Sequence, residues 1–236
     1  MTLLAVHQLT KVFGGITAVN EASFTVQPGT ITGLIGPNGA GKSTLFDLIS
    51  GEEKPNSGHV WFDDREITGW APHRTAAAGL GRTFQLMRGF SSGTVRDNVQ
   101  AGAYLHHHRR AHARAVADDL CGRYGLADVT GQRVDTLTGA TRKRLEIARA
   151  MATEPKLLLL DEVLSGLTPA ETQTAIALIR RIRDEGVTIV LVEHVMDVVM
   201  SLCDTIVVLD QGAVIFTGSA EAAVTSRAVR DAYLGT

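Results

Sequence analysis

The chain has 236 residues, 44% of them hydrophobic and 20% charged, with a formal net charge of −2. This is the composition of a globular protein whose core needs no disulfide staples. It excludes the global basic field with which nucleic-acid binders gather phosphates, so no nucleic-acid partner is expected. Cys121 and Cys203 are far apart and lack metal-ligand spacing, which suits a reducing compartment. No basic segment followed by a long apolar run opens the chain, so no signal peptide is expected. No stretch approaches the ~20 consecutive apolar residues of a membrane span. Work at a membrane would require docking onto another subunit.

In chain order, residues 2–30 and 58–67 alternate in the manner of short strands, with turn signals at Pro28-Gly29 and Ser57-Gly58. They predict an antiparallel patch. Ile31–Ile35 predicts a strand running into a Gly-rich turn, and Ser43–Ile49 a helix. From about 86 to 155 the chain is Ala/Arg-rich with helical patterning, which predicts a helical insertion between two strands of one sheet. Leu157–Leu160 is a continuous apolar run, as in a strand buried on both faces. Val187–Val192 and Thr205–Leu209 read the same way, with helices over Pro169–Arg183 and Val195–Leu202. Strand–helix alternation of this kind predicts one α/β domain, residues 1–236, with a mainly parallel sheet, an antiparallel edge patch and an inserted helical subdomain.

Gly36-Pro37-Asn38-Gly39-Ala40-Gly41-Lys42-Ser43, followed by Thr44, fits G-x-x-x-x-G-K-[ST]. It follows a predicted strand and opens a predicted helix, the context that gives the motif meaning. The glycines let successive backbone N–H groups converge on an anion. The helix N-terminus adds partial positive charge. Lys42 can reach β- and γ-phosphates and the Ser43 hydroxyl can ligate Mg²⁺. Leu157–Leu160 ends in Asp161-Glu162, and in open α/β sheets the ligand site lies beyond the carboxyl ends of the strands. Asp161 suits the Mg²⁺ shell and Glu162 a general base acting on water. Taken alone, the pair also fits a solvated strand end. His194 follows another apolar strand and a third acid, Glu193. It can contact a γ-phosphate or orient water, although a lone histidine is more often structural.

Together these segments resemble the ATP-binding-cassette (ABC) transporter ATPases over nearly the whole chain. The resemblance implies ATP and Mg²⁺ as ligands. It implies that Phe13, in Lys11-Val12-Phe13-Gly14-Gly15, stacks on adenine. Gln85, in Gly81-Arg82-Thr83-Phe84-Gln85, matches the glutamine that senses Mg²⁺ and the membrane subunit. Asp161 and Glu162 match the Walker B aspartate and catalytic glutamate, Ser165–Thr168 the D-loop, and His194 the switch histidine. Implied partners are transmembrane permease subunits, a second ATPase subunit in a head-to-tail dimer and, indirectly, a substrate-binding protein. The implied location is the cytoplasmic face of the cell membrane. Within the family, the motifs are most similar to importers of branched-chain amino acids. Relatives handling urea or lipopolysaccharide share much of them, and an ATP-binding regulator with little hydrolysis is a further alternative.

The sequence departs from the family at the signature, where Leu-Ser-Gly-Gly-Gln is replaced by Leu137-Thr138-Gly139-Ala140-Thr141. In the family this segment binds the partner's nucleotide. Thr138 keeps a hydroxyl and Gly139 is intact. Ala140 is tolerable at negative φ and strained by on the order of 1 kcal/mol at positive φ. The D-loop ends in Thr168 rather than Asp or Asn. A heterodimer with unequal sites is the expectation. Outside the motifs, His106–His108 with His112 reads as a solvated basic face rather than a metal site. Arg142-Lys143-Arg144 reads as a solvated helix end, or else as a phosphate-holding cluster.

Overall fold

The computed structural model describes residues 2–83, 90 and 92–234. In chain order the elements are β1 (Leu4–Phe13), β2 (Ile16–Val26), β3 (Ile31–Ile35), α1 (Lys42–Ser50), β4 (Ser57–Phe62), β5 (Arg65–Glu66), α2 (Pro72–Ala77) and β6 (Leu80–Arg82). There follow α3 (Val95–Ala103), α4 (Arg110–Arg123), α5 (Gly139–Met151), β7 (Leu157–Asp161), α6 (Pro169–Asp184), β8 (Thr188–Val192) and α7 (Met196–Leu202). The chain closes with β9 (Thr205–Asp210), β10 (Ala213–Gly218), α8 (Ala220–Thr225) and α9 (Arg227–Leu234).

Two sheets form. One has the order β2-β1-β4-β5 and is antiparallel throughout. The other has the order β10-β9-β3-β8-β7-β6 and is parallel except for β10, which returns antiparallel to β9. The continuous apolar runs are explained by burial on both faces. Leu158 and Leu160 of β7 enter one core with α3–α6, whereas Leu157 and Leu159 enter another with α1 and the antiparallel sheet. Ile189 and Leu191 of β8 divide from Val190 and Val192 in the same way. Each fully buried leucine contributes about 1.5–3 kcal/mol, so this strand is fixed by packing on two sides at once. A third cluster joins Ile35 and Val208 to Val199, Ala223 and Val229 of the C-terminal helices.

The predicted antiparallel patch, parallel sheet and helical stretch are all present. Several details differ. Ser57-Gly58 is no turn: Ser57 pairs with Thr10 at the start of β4, beside a register shift. The chain reverses instead at Asp63-Asp64, both at positive φ. Val187 lies outside β8, and Val195 is the N-cap of α7 rather than its first residue. The three-residue β6 and the C-terminal β10, α8 and α9 have no counterpart in the sequence reading.

Candidate functional site

Strand order builds the site. β8 lies between β3 and β7, and Val192 at its end is level with both Leu34 and Asp161. The carboxyl ends of three adjacent strands therefore present Gly36–Ser43, Glu193-His194 and Asp161-Glu162 along one edge, where parallel α/β sheets place ligands.

The phosphate loop leaves β3 at Gly36, with φ 150°, and enters α1 through Gly41, with φ 100°. A Cβ at Gly36 would lie 2.0 Å from the Leu209 carbonyl oxygen, and one at Gly41 2.2 Å from that of Ala18. Both positions are closed to every side chain. Pro37, Asn38 and Gly39 form the outer lip, and Ala40 is buried beneath them. Nζ of Lys42 donates to the carbonyls of Gly36 at 2.8 Å and Pro37 at 2.9 Å. Burial pulls this ammonium below its ordinary pKa, while the charges of Glu162 and Asp161 act in the opposite sense. Ser43 is exposed on the first turn of α1 and Thr44 half-buried behind it.

Asp161 ends β7 with 4% exposure. One carboxylate oxygen lies 3.5 Å from the Arg82 guanidinium. Among the described residues the other, Oδ1, is buried without a hydrogen-bond partner. Burial raises this carboxyl above its ordinary pKa, Arg82 lowers it, and Glu162 raises it further. An acceptor-only oxygen left bare in this way needs a cation or a bound donor. A hard divalent ion with oxygen ligands therefore fits Asp161 together with the Ser43 hydroxyl. Gln85, the third candidate for that shell, lies outside the described residues.

Glu162 adopts φ 50°, a left-handed conformation costing a non-glycine residue roughly 1–3 kcal/mol. The turn redirects its side chain, and Oε1 sits 2.7 Å from Nε2 of His194. Its amide donates to Val192 O at 3.0 Å, tying β7 to β8. Lys42, Asp161, Glu162 and His194 are thus brought into one electrostatic cluster.

Phe13 closes β1 beside the Gly14-Gly15 turn, 43% exposed, with Nζ of Lys11 4.6 Å from its ring centroid. Lys11 is itself held by Glu53 at 2.9 Å. Thr138, Gly139 and Ala140 open α5, where Thr138 is the N-cap accepting from the Thr141 amide. Ala140 is not in the left-handed region, so its methyl group costs the backbone little. Among the described residues no hydrogen bond joins this segment to the phosphate loop. Thr138 and Ala140 instead line a cavity with Leu167 and Glu171. Thr168 N-caps α6 in a reciprocal box with Glu171, so it does the capping that Asp or Asn would do.

Both basic clusters make contacts within the chain. Arg142, Lys143 and Arg144 donate to the carbonyls of Leu137, of Glu162 and Ser165, and of Gly125 respectively. The cluster is therefore engaged with backbone rather than simply solvated. His106 bonds Thr153 O at 3.1 Å and His107 bonds Glu154 at 2.6 Å. No group of three or more His, Cys, Asp or Glu side chains placed to hold a metal ion occurs among the described residues. Three contributors have no role assigned from the sequence. Arg82 bridges Asp47, at 2.6 Å, to Asp161. Glu193, 2% exposed, accepts from the Leu164 amide at 2.8 Å. Burial raises the pKa of the Tyr233 hydroxyl on α9, and the Gly36 backbone acts in the opposite sense. Of these, Glu193 had a signal: a carboxylate at the end of an all-apolar strand.

A glycine nest capped by a lysine, beside a strand-end Asp-Glu pair, defines a P-loop nucleotide-binding ATPase. The ABC transporter family matches residues 19–165. The high-affinity branched-chain amino acid transport ATP-binding protein BraF of Pseudomonas aeruginosa is 37% identical, over 99% of this chain and 98% of its own. The methionine import ATP-binding protein MetN of Symbiobacterium thermophilum is 40% identical, over 92% of this chain and 67% of its own. The crystal structure of a nucleotide-free ATP-binding cassette from an ABC transporter superposes with a TM-score of 0.91 at 26% identity, covering 100% of both chains. The chain belongs to the ABC transporter family, as an ATP-binding and ATP-hydrolysing subunit. No helix among the described residues is long and apolar enough to cross a membrane.

Proposed function

We propose that this subunit powers the import of branched-chain amino acids from the cytoplasmic face of the cell membrane, docked on transmembrane permease subunits and paired with a second ATPase subunit. The observation that carries the reaction is the Glu162–His194 contact beside Lys42. Glu162 accepts the proton of the attacking water as general base, and His194 orients both the carboxylate and the water. Lys42 and the Gly36–Gly41 amides hold the β- and γ-phosphates. Ser43, Asp161 and Gln85 would hold Mg²⁺, which neutralises phosphate charge when bound. Phe13 stacks on the base. Thr138, Gly139 and Ala140 serve the nucleotide of the second subunit, whose own signature completes the site built on Glu162.

Residues from about 86 to 155 act as the helical subdomain that meets the membrane subunit. That subunit docks near Gln85 to Val99. A substrate-binding protein would select the cargo upstream. The 37% identity to BraF along both full lengths supports the branched-chain cargo. The 40% identity to MetN supports methionine as a second reading. Steady-state Mg·ATP turnover of wild type and Glu162→Gln tests the chemistry: loss of turnover with nucleotide binding retained is expected. Turnover in the variant would overturn the assignment. Uptake of labelled leucine, methionine and urea in a strain lacking the gene tests the cargo, and loss of leucine uptake alone is expected.

A further inference from the structure

The loop from Glu162 to Ser165 is gripped from two sides by opposite charges. Lys143 stands on the second turn of α5. Its Nζ donates to the Glu162 carbonyl at 2.9 Å and also to the Ser165 carbonyl. The Ser165 amide donates to that same Glu162 carbonyl at 3.3 Å, so the ammonium closes a small ring of backbone. On the far side, the buried Glu193 carboxylate accepts from the Leu164 amide at 2.8 Å. Its charge and that of Lys143 act on one another across the loop. The neighbours Arg142 and Arg144 are engaged with Leu137 and Gly125. Within the basic triplet, only Lys143 grips this loop.

The chemistry of the group suits the task. An ammonium is compact, carries three donors and accepts nothing. It can hold two carbonyls from one point. It also favours one orientation of the Glu162–Val163 peptide, at the residue whose left-handed φ aims the carboxylate at His194. A neutral side chain would leave both carbonyls short of a strong donor. Because α5 opens at Thr138, the grip also joins the signature segment to the catalytic loop within one chain.

We propose that Lys143 is a positioning residue for ATP hydrolysis: by holding the Glu162 and Ser165 carbonyls, it keeps the Glu162 carboxylate registered against His194. The proposal rests on the reading of Glu162 as general base. It assigns Lys143 no contact with nucleotide, so its loss changes turnover and leaves nucleotide affinity in place.

The test uses the full-length chain assembled with its partner subunits, in wild-type, Lys143→Ala, Lys143→Gln and Lys143→Arg forms, with Glu162→Gln as a separate control. Lys143→Ala is expected to lower kcat by about tenfold or more with the ATP KM within about twofold. Amide hydrogen exchange should accelerate at residues 163–167 and remain unchanged in β3 and α1. Lys143→Arg, which keeps charge and several donors, should recover kcat to within about threefold, and Lys143→Gln should fall between. Wild-type kcat in Lys143→Ala overturns the proposal. So does a fall in melting temperature with exchange rising everywhere and no recovery in Lys143→Arg, since that is a purely structural role. If Glu162→Gln retains turnover, the underlying assignment of Glu162 has failed. If Glu162→Gln is inactive and Lys143→Ala is not, only the role of Lys143 has failed.

Discussion

Nε2 of His194 lies 2.7 Å from Oε1 of Glu162, although the two residues follow different strands. A carboxylate only accepts, so the imidazole presents its proton on Nε2 and the pair acts as one unit. Groups that act as a unit are non-additive on removal. Glu162→Gln is expected to lower kcat by about 10²–10⁴-fold and His194→Ala by a comparable order. The double variant should be no slower than Glu162→Gln alone. Single-turnover hydrolysis measures this, and multiplicative losses would show that the two residues work independently.

Arg82 joins Asp47 of α1 to Asp161 of β7, at 2.6 and 3.5 Å, with its side chain 7% exposed. Removing one partner of a buried ion pair leaves an uncompensated charge, which costs about 3–5 kcal/mol. Arg82→Met should therefore destabilise the chain by about that amount in urea denaturation. Asp161→Asn in the Arg82→Met background should recover part of it. If Arg82→Met instead costs under about 1 kcal/mol, the cation is not the group that makes a buried Asp161 tolerable.

Gly36 and Gly41 are the loop positions where backbone, not a movable side chain, meets a would-be Cβ. Each also has a φ that L-residues rarely adopt. Gly41→Ala should cost about 2 kcal/mol or more, and nucleotide binding should fall with it because the nest cannot keep its shape. Gly39→Ala meets nothing within 4 Å, so only its φ of 82° opposes it. It should be the milder change in both melting temperature and ATP affinity.

The phosphate loop and the Asp161-Glu162 pair were legible in the sequence because their constraints are local. Glycines and a lysine must fall within eight consecutive residues, and a doubly buried strand must read as an apolar run. What was not legible depends on partners distant in sequence. Arg82 meets Asp47 35 positions away, and Lys143 meets Glu162 19 positions away. Ser57-Gly58 resembled a turn because glycine supplies positive φ wherever it is needed, and here a bulged strand start uses it. β6 has only three residues and gains its place from β7. The helical character of the region from 90 to 155 was legible, but nothing in its basic triplet distinguished Lys143 from its neighbours.

Phe13 offers an exposed ring with the Lys11 ammonium over it. Base–aromatic stacking is worth about 1–3 kcal/mol. Phe13→Ala should therefore raise the dissociation constant of ATP by about 5- to 150-fold, whereas Phe13→Tyr should hardly change it. Because the triphosphate contacts are retained, kcat at saturating ATP should stay near wild type. A variant with unchanged affinity would remove Phe13 from the adenine site.

Glu193 is the most informative group for pH. Burial raises its pKa above the ordinary 4.5, while the Leu164 amide and Lys143 lower it and Glu162 raises it further. The net shift is upward, so in the window between 4.5 and the folded-state value the native chain binds more protons than the unfolded chain. Stability therefore falls as pH rises through that window. The stabilising contribution is complete below 4.5 and spent above the folded-state value. Glu193→Gln removes the titration and keeps an amide oxygen for the Leu164 N–H. Its stability should change less steeply with pH across the weakly acidic range than that of the wild type, and at pH 7 it should lie closer to wild type than Glu193→Ala, which leaves the Leu164 amide without an acceptor. Urea unfolding at a series of pH values measures both. An identical slope in wild type and Glu193→Gln would mean that this carboxyl titrates alike in the folded and unfolded chain.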